Sequence, residues 1–104
     1  PDGIQGLVLW AAYPAASNSL RNYSLKVMSI FASQDGLATK EKIDASRSLL
    51  PVDTVWVEIA GGNHAQFGSY GTQPGDGSAE ISADEQLRQV AAATVSLLKA
   101  VEER

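Results

Sequence analysis

Leu25-Lys26-Val27-Met28-Ser29-Ile30-Phe31-Ala32, followed at once by Ser33-Gln34-Asp35-Gly36, is the stretch on which the fold turns. Its first part is apolar on both faces, the signature of a strand inside a parallel sheet. Its second part is a turn by chemistry, because Asp bonds its own neighbouring backbone and Gly tolerates positive φ. An acid therefore stands at the C-terminal tip of a buried strand. On the N-terminal side, Ile4 to Ala12 is a second continuous apolar run, closed by Tyr13-Pro14, and also reads as a buried strand. The Asn/Ser-rich segment Ala15 to Ser24 between them carries weak helical character at most.

On the C-terminal side, Thr39 is an N-cap for a helix over Lys40 to Leu50, with Glu41 in its first turn and Pro51 just past its end. Its buried stripe is Ile43, the stem of Arg47 and Leu50. A third strand, Thr54 to Ala60, is β-branched and aromatic and stops at Gly61-Gly62. Asn63 to Ser78 is a glycine-rich loop, and a structureless piece of this length is more often functional than idle. Ser82-Ala83-Asp84-Glu85 has capping-box spacing and opens a helix to about Glu102, with Leu87, Val90, Ala91, Thr94, Leu97, Leu98 and Val101 as its apolar face. Strands alternating with helices predict an α/β fold of about three parallel strands with flanking helices. Ligands of such sheets bind beyond the strands' C-terminal ends, where Asp35 and His64 both fall.

Composition narrows the function. The chain of 104 residues is one domain or part of one, and 44% hydrophobic with 19% charged residues implies a folded segment, not a disordered tail. No apolar run reaches the roughly 20 residues of a membrane span. A net charge of −4 with scattered Lys and Arg gives phosphate backbones nothing to dock on, so nucleic acid is not an expected partner. Without cysteine there are no disulfides, thiolate metal sites or cysteine nucleophiles, and the compartment stays open. Pro1-Asp2-Gly3 has neither an initiator Met nor a leader, so the natural N-terminus is expected upstream.

One constellation carries chemistry. A histidine takes and returns a proton near neutral pH when a partner fixes its tautomer and stabilises the imidazolium, and a buried carboxylate meets that need. His64 and Asp35 suit the roles of base and acid. The plainer readings are a solvated or structural His64 and an Asp35 that only forms its turn. Among rival acids, Asp44 lies within a helix, Asp53 in a loop at the opposite sheet edge and Asp84 in a helix's first turn, where solvated or capping roles suit them. Trp10, Tyr13 and Phe67 flank the site edge as core or as pocket lining. One histidine with Asp76 near it does not make a metal site, and no metal or cofactor is expected.

Ser29-Ile30-Phe31-Ala32-Ser33-Gln34-Asp35-Gly36 and Glu58-Ile59-Ala60-Gly61-Gly62-Asn63-His64-Ala65-Gln66-Phe67-Gly68 resemble the acid and histidine segments of the α/β-hydrolase superfamily, in particular the bacterial dienelactone-hydrolase-like group. Tyr70-Gly71, Gln73, Gly75-Asp76-Gly77 and the Ile81-Ser82 to Glu85-Gln86 helix start extend the similarity, which runs from Gly6 to Leu98. The resemblance implies a partial α/β-hydrolase fold with Asp35 as triad acid, His64 as triad base and a serine in a G-x-S-x-G elbow earlier in the chain. Gly68-Ser69-Tyr70-Gly71 is not that elbow, because its spacing is G-S-x-G and it follows the histidine. Residues 1–104 are therefore expected to be the C-terminal portion of one hydrolase domain, acting on a small acyl or ester substrate in the full protein and inactive alone. The rival expectation is a complete, non-catalytic α/β module for binding or oligomerisation, which has no reason to carry the histidine motif. A first strand deprived of a neighbour would further expose an apolar edge and favour self-association.

Overall fold

In the computed structural model, residues 6–15, 19–68 and 73–102 are described. Three parallel strands, β1 (Gly6–Trp10), β2 (Lys26–Ala32) and β3 (Val55–Ile59), form one sheet in the order β1-β2-β3. Register runs Gly6 on Lys26 to Trp10 on Ile30, and Met28 on Val55 to Ala32 on Ile59. The side chains of β2 alternate between the two faces. Met28 and Ile30 join Ile59, Val90 and Leu97 in one core cluster, while Phe31 packs with Ala11, Ala38 and Ile43, and Val27 with Leu25 and Leu50. A strand with apolar partners on both sides must be apolar throughout, which is why this stretch reads as a continuous run.

The first strand departs from the expectation of full burial. It is half-buried because it ends the sheet among the described residues, and Trp10 is exposed. Ile4 and Gln5 lie outside the described residues; at the other end Ala11 breaks the strand with φ 51° while its N–H still donates to the Ile30 carbonyl at 2.8 Å. Leu25, Thr54 and Ala60 likewise fall just outside β2 and β3. No helix forms at residue 15 or over 19–24, and 16–18 lie outside the described residues.

Helix α1 covers Lys40–Ala45 and tightens into a 3-10 turn over Ser46–Leu49, so the expected single helix to Leu50 is two pieces. Thr39 caps it, its hydroxyl accepting from the Lys42 N–H at 3.4 Å. The change of pitch begins where the Ser46 hydroxyl donates back to the Ile43 carbonyl at 2.6 Å, a local bond that competes with regular helix. Ile43 and Leu50 are buried, whereas Arg47 is exposed and lays its guanidinium over the Trp56 ring, 4.3 Å from its centre.

Helix α2 (Ala83–Glu102) lies across the Met28/Ile30/Ile59 face. Its first turn meets Gly62 and its last reaches Gly6 at the foot of β1. The buried line is Gln86, Val90 and Leu97, with Ala93 and Val101 partly covered; Leu87 and Leu98, expected in the core, are more than half exposed. Val90, Leu97 and Val101 of the expected face pack on the sheet, while Leu87, Ala91 and Leu98 turn outward and Gln86, not expected on that face, is fully buried. One arm of the capping box forms, from the Glu85 N–H to the Ser82 hydroxyl at 3.0 Å. The Glu85 carboxylate turns forward instead to Arg88 and Gln89.

Candidate active site

Parallel pairing brings the C-terminal tips of β2 and β3 side by side, and the turns beyond them are laced together. Ser33 N–H donates to the Ile59 carbonyl at 3.2 Å, Gln34 N–H to the Gly62 carbonyl at 2.8 Å, and Gly61 N–H to the Ser33 hydroxyl at 2.7 Å. Asp35 leaves the first turn and His64 the second.

The Asp35 side chain is wholly buried, and its two oxygens have separate tasks. Oδ1 accepts the N–H groups of Leu37 at 2.7 Å and Ala38 at 2.8 Å, which fixes the plane of the carboxylate. Oδ2 faces His64 Nδ1 at 2.9 Å. An ionised carboxylate only accepts, so opposite it Nδ1 must carry a hydrogen, and in the neutral form of the ring Nε2 then keeps the lone pair. The imidazole is 29% exposed, and among the described residues Nε2 makes no hydrogen bond. Such a ring can take a proton at Nε2 and hold the resulting cation against Asp35.

Three further residues bond the turns that carry this pair, and none was assigned a role from the sequence. Gln86, fully buried on α2, grips the peptide before the histidine: its Oε1 accepts the Asn63 N–H at 3.1 Å and its Nε2 donates to the Asn63 carbonyl at 2.9 Å. Asn63 in turn donates to the Gly77 carbonyl at 3.0 Å and accepts the Gln66 N–H at 3.1 Å. Asp76 accepts backbone N–H groups from Gly36, His64, Ala65 and Gly77. Desolvation opposes its ionisation, but the donors of Ala65, His64, Gly36 and Gly77 together outweigh that and hold its carboxyl below the ordinary 3.8. The sequence signal for Asp76 was its place between two glycines, which let backbones approach; for Gln86 it was a polar residue on the apolar stripe.

The other candidates separate from the pair. Asp44 lies 3.5 Å from Arg47, Asp53 sits in the turn that leads into the start of β3, and Asp84 is in the first turn of α2; none bonds His64. Phe67 packs into the core, while Trp10 and Tyr13 are exposed, Tyr13 lining a cleft of 290 Å³ with Pro14, Lys42 and Leu49. Ser69, Tyr70 and Gly71 lie outside the described residues. No group of three potential metal ligands occurs among the described residues, and no helix there is long and apolar enough to cross a membrane.

The fold is of the α/β class with a parallel sheet, and the carboxylate and imidazole meet at the C-terminal edge where such sheets bind ligands. The sequence profile of the alpha/beta hydrolase family matches residues 1–88, and the chain belongs to that family. No curated protein and no solved structure matches it.

Proposed function

We propose that the chain supplies the acid, Asp35, and the base, His64, of a Ser-His-Asp triad in an esterase-like serine hydrolase akin to the dienelactone-hydrolase-like group. The serine of the proposal stands in a G-x-S-x-G elbow on sequence preceding residue 1, and residues 1–104 form the C-terminal portion of one domain. The observation that carries this reading is the 2.9 Å contact of His64 Nδ1 with the buried Asp35 Oδ2 at the ligand-binding edge of the sheet.

In the proposed reaction the serine oxygen attacks the acyl carbon of an ester while its proton passes to His64 Nε2. Asp35, ionised throughout, stabilises the imidazolium. That proton then goes to the departing alkoxide as the ester C–O bond breaks, and water repeats the sequence to free the acid. Removing the serine of such a triad costs about a million-fold in turnover, so the 104-residue chain alone is expected to be inert. The outer edge of β1 is where a preceding strand would pair. The isolated chain is expected to self-associate there, and a monomer at high concentration in size-exclusion chromatography would count against that.

The experiment is labelling of the longer protein with a serine-directed phosphonate. Wild type is expected to label and His64→Ala to resist; equal labelling of the two removes His64 from the mechanism.

A further inference from the structure

Asp76 spends its whole carboxylate on backbone. Oδ1 accepts the N–H groups of Gly36 at 3.2 Å, His64 at 3.1 Å and Gly77 at 2.9 Å, and Oδ2 accepts that of Ala65 at 2.9 Å. Gly36 is the residue after the acid, and His64 is the base. A single side chain therefore bonds the acid turn and the histidine turn at once, while making no bond to the imidazole itself. Backbone contact keeps it there: a Cβ on Gly36 would lie 2.1 Å from the Gly75 carbonyl oxygen, and one on Gly77 would lie 2.0 Å from the Gln34 carbonyl oxygen. Residues 75–77 thus rest directly on residues 34–36, with no room for a side chain between.

We propose that Asp76 is a positioning residue, which holds the acid and histidine turns at the one separation where Asp35 Oδ2 and His64 Nδ1 meet. The inference rests on the triad reading above and deepens it. Only an acceptor-only group answers four converging N–H donors. An asparagine presents one oxygen and one NH₂, so in either orientation at least one backbone N–H faces another donor, and the turns are pushed apart.

His64 is the chain's only histidine, so the imidazole signals in the nitrogen-15 and proton side-chain spectrum of the labelled chain, which lie apart from those of the indole, amide and guanidinium groups, come from this one ring. Wild type is expected to show an Nδ1 proton shifted downfield by its carboxylate partner. Asp76→Asn and Asp76→Ala are expected to lose that signal and to mix the two ring tautomers. Leu97→Ala, which loosens the core near the opposite end of the sheet, is expected to keep it; the isosteric Asp76→Asn carries the test should the alanine variant unfold. Retention of the wild-type signal in Asp76→Asn overturns the proposal, and so does its loss in Leu97→Ala, which would mark general loosening. Absence of the signal in wild type instead overturns the acid–histidine pairing on which both readings stand.

Discussion

Replacing Gln86 by methionine keeps length and volume in a fully buried position on α2 but removes both bonds to the Asn63 peptide. The Asn63 N–H and carbonyl then lose their partners, and each buried polar group so orphaned costs about 1–3 kcal/mol. Asn63 is only half-buried, so water recovers part of that loss, and the expected net destabilisation is about 2–4 kcal/mol. This is a large share of the roughly 5–15 kcal/mol that holds a domain together. In a chain of this size it corresponds to a fall in Tm of roughly 8–30 °C. Urea titrations followed by far-UV circular dichroism measure the change directly, with the slope against denaturant expected to stay the same. A midpoint for Gln86→Met that places its stability within about 0.5 kcal/mol of wild type would refute the reasoning, because it would mean that the Asn63 peptide does not depend on Gln86.

Adjacent residues on α2 give a second test: Leu97→Ala is expected to cost about 2–5 kcal/mol and the exposed Leu98→Ala less than about 0.5 kcal/mol in the same titration, the reverse order placing the wrong face on the sheet. Gly77→Ala forces a methyl into the Gln34 carbonyl and is expected to destabilise by more than about 2 kcal/mol in thermal melts; a neutral result would contradict the backbone contact of the two loops. Acid titration reports on Asp76. Its folded carboxyl titrates below the ordinary 3.8, so its ionised form adds stability that is fully present above that pH and is lost as pH falls through the lowered folded value. The stability gap between wild type and Asp76→Asn is expected to hold from neutral pH down to the ordinary 3.8 and to narrow as the pH is lowered further, whereas a gap that stays constant throughout acid titration would show that the Asp76 charge is not the source.

What the sequence disclosed follows a physical division. Elements defined by local pattern were readable: the apolar run of β2, the Asp-Gly turn that bears Asp35, the Thr39 cap and the glycine stop after β3 all stand close to where their residues place them. The meeting of Asp35 and His64 followed from parallel pairing, because consecutive parallel strands deliver both turns to one edge. Features fixed by distant partners were not readable. Hydropathy placed Val90, Leu97 and Val101 on the packed face of α2 but also Leu87 and Leu98, and it gave no sign of Gln86, whose partner Asn63 lies 23 residues away. Asp76 is weighed from the sequence only as a metal-site companion of His64, because the donors it binds at Gly36 and His64 come from stretches of chain distant from it. Half-burial of β1 is not legible in its own apolar run and follows only from its place at the end of the sheet, which the expected absence of a preceding strand had pointed to.

Asp35→Asn in the longer protein tests the acid–base claim most directly. The Leu37 and Ala38 N–H groups require an acceptor, so they hold the asparagine carbonyl oxygen and leave its NH₂ facing His64 Nδ1. A donor at that position moves the ring hydrogen to Nε2, where it blocks uptake of the serine proton. Hydrolysis of a simple ester is expected to fall about ten-thousand-fold in kcat with KM little changed. A kcat within about tenfold of wild type would contradict the assignment of Asp35 as the acid that orients His64.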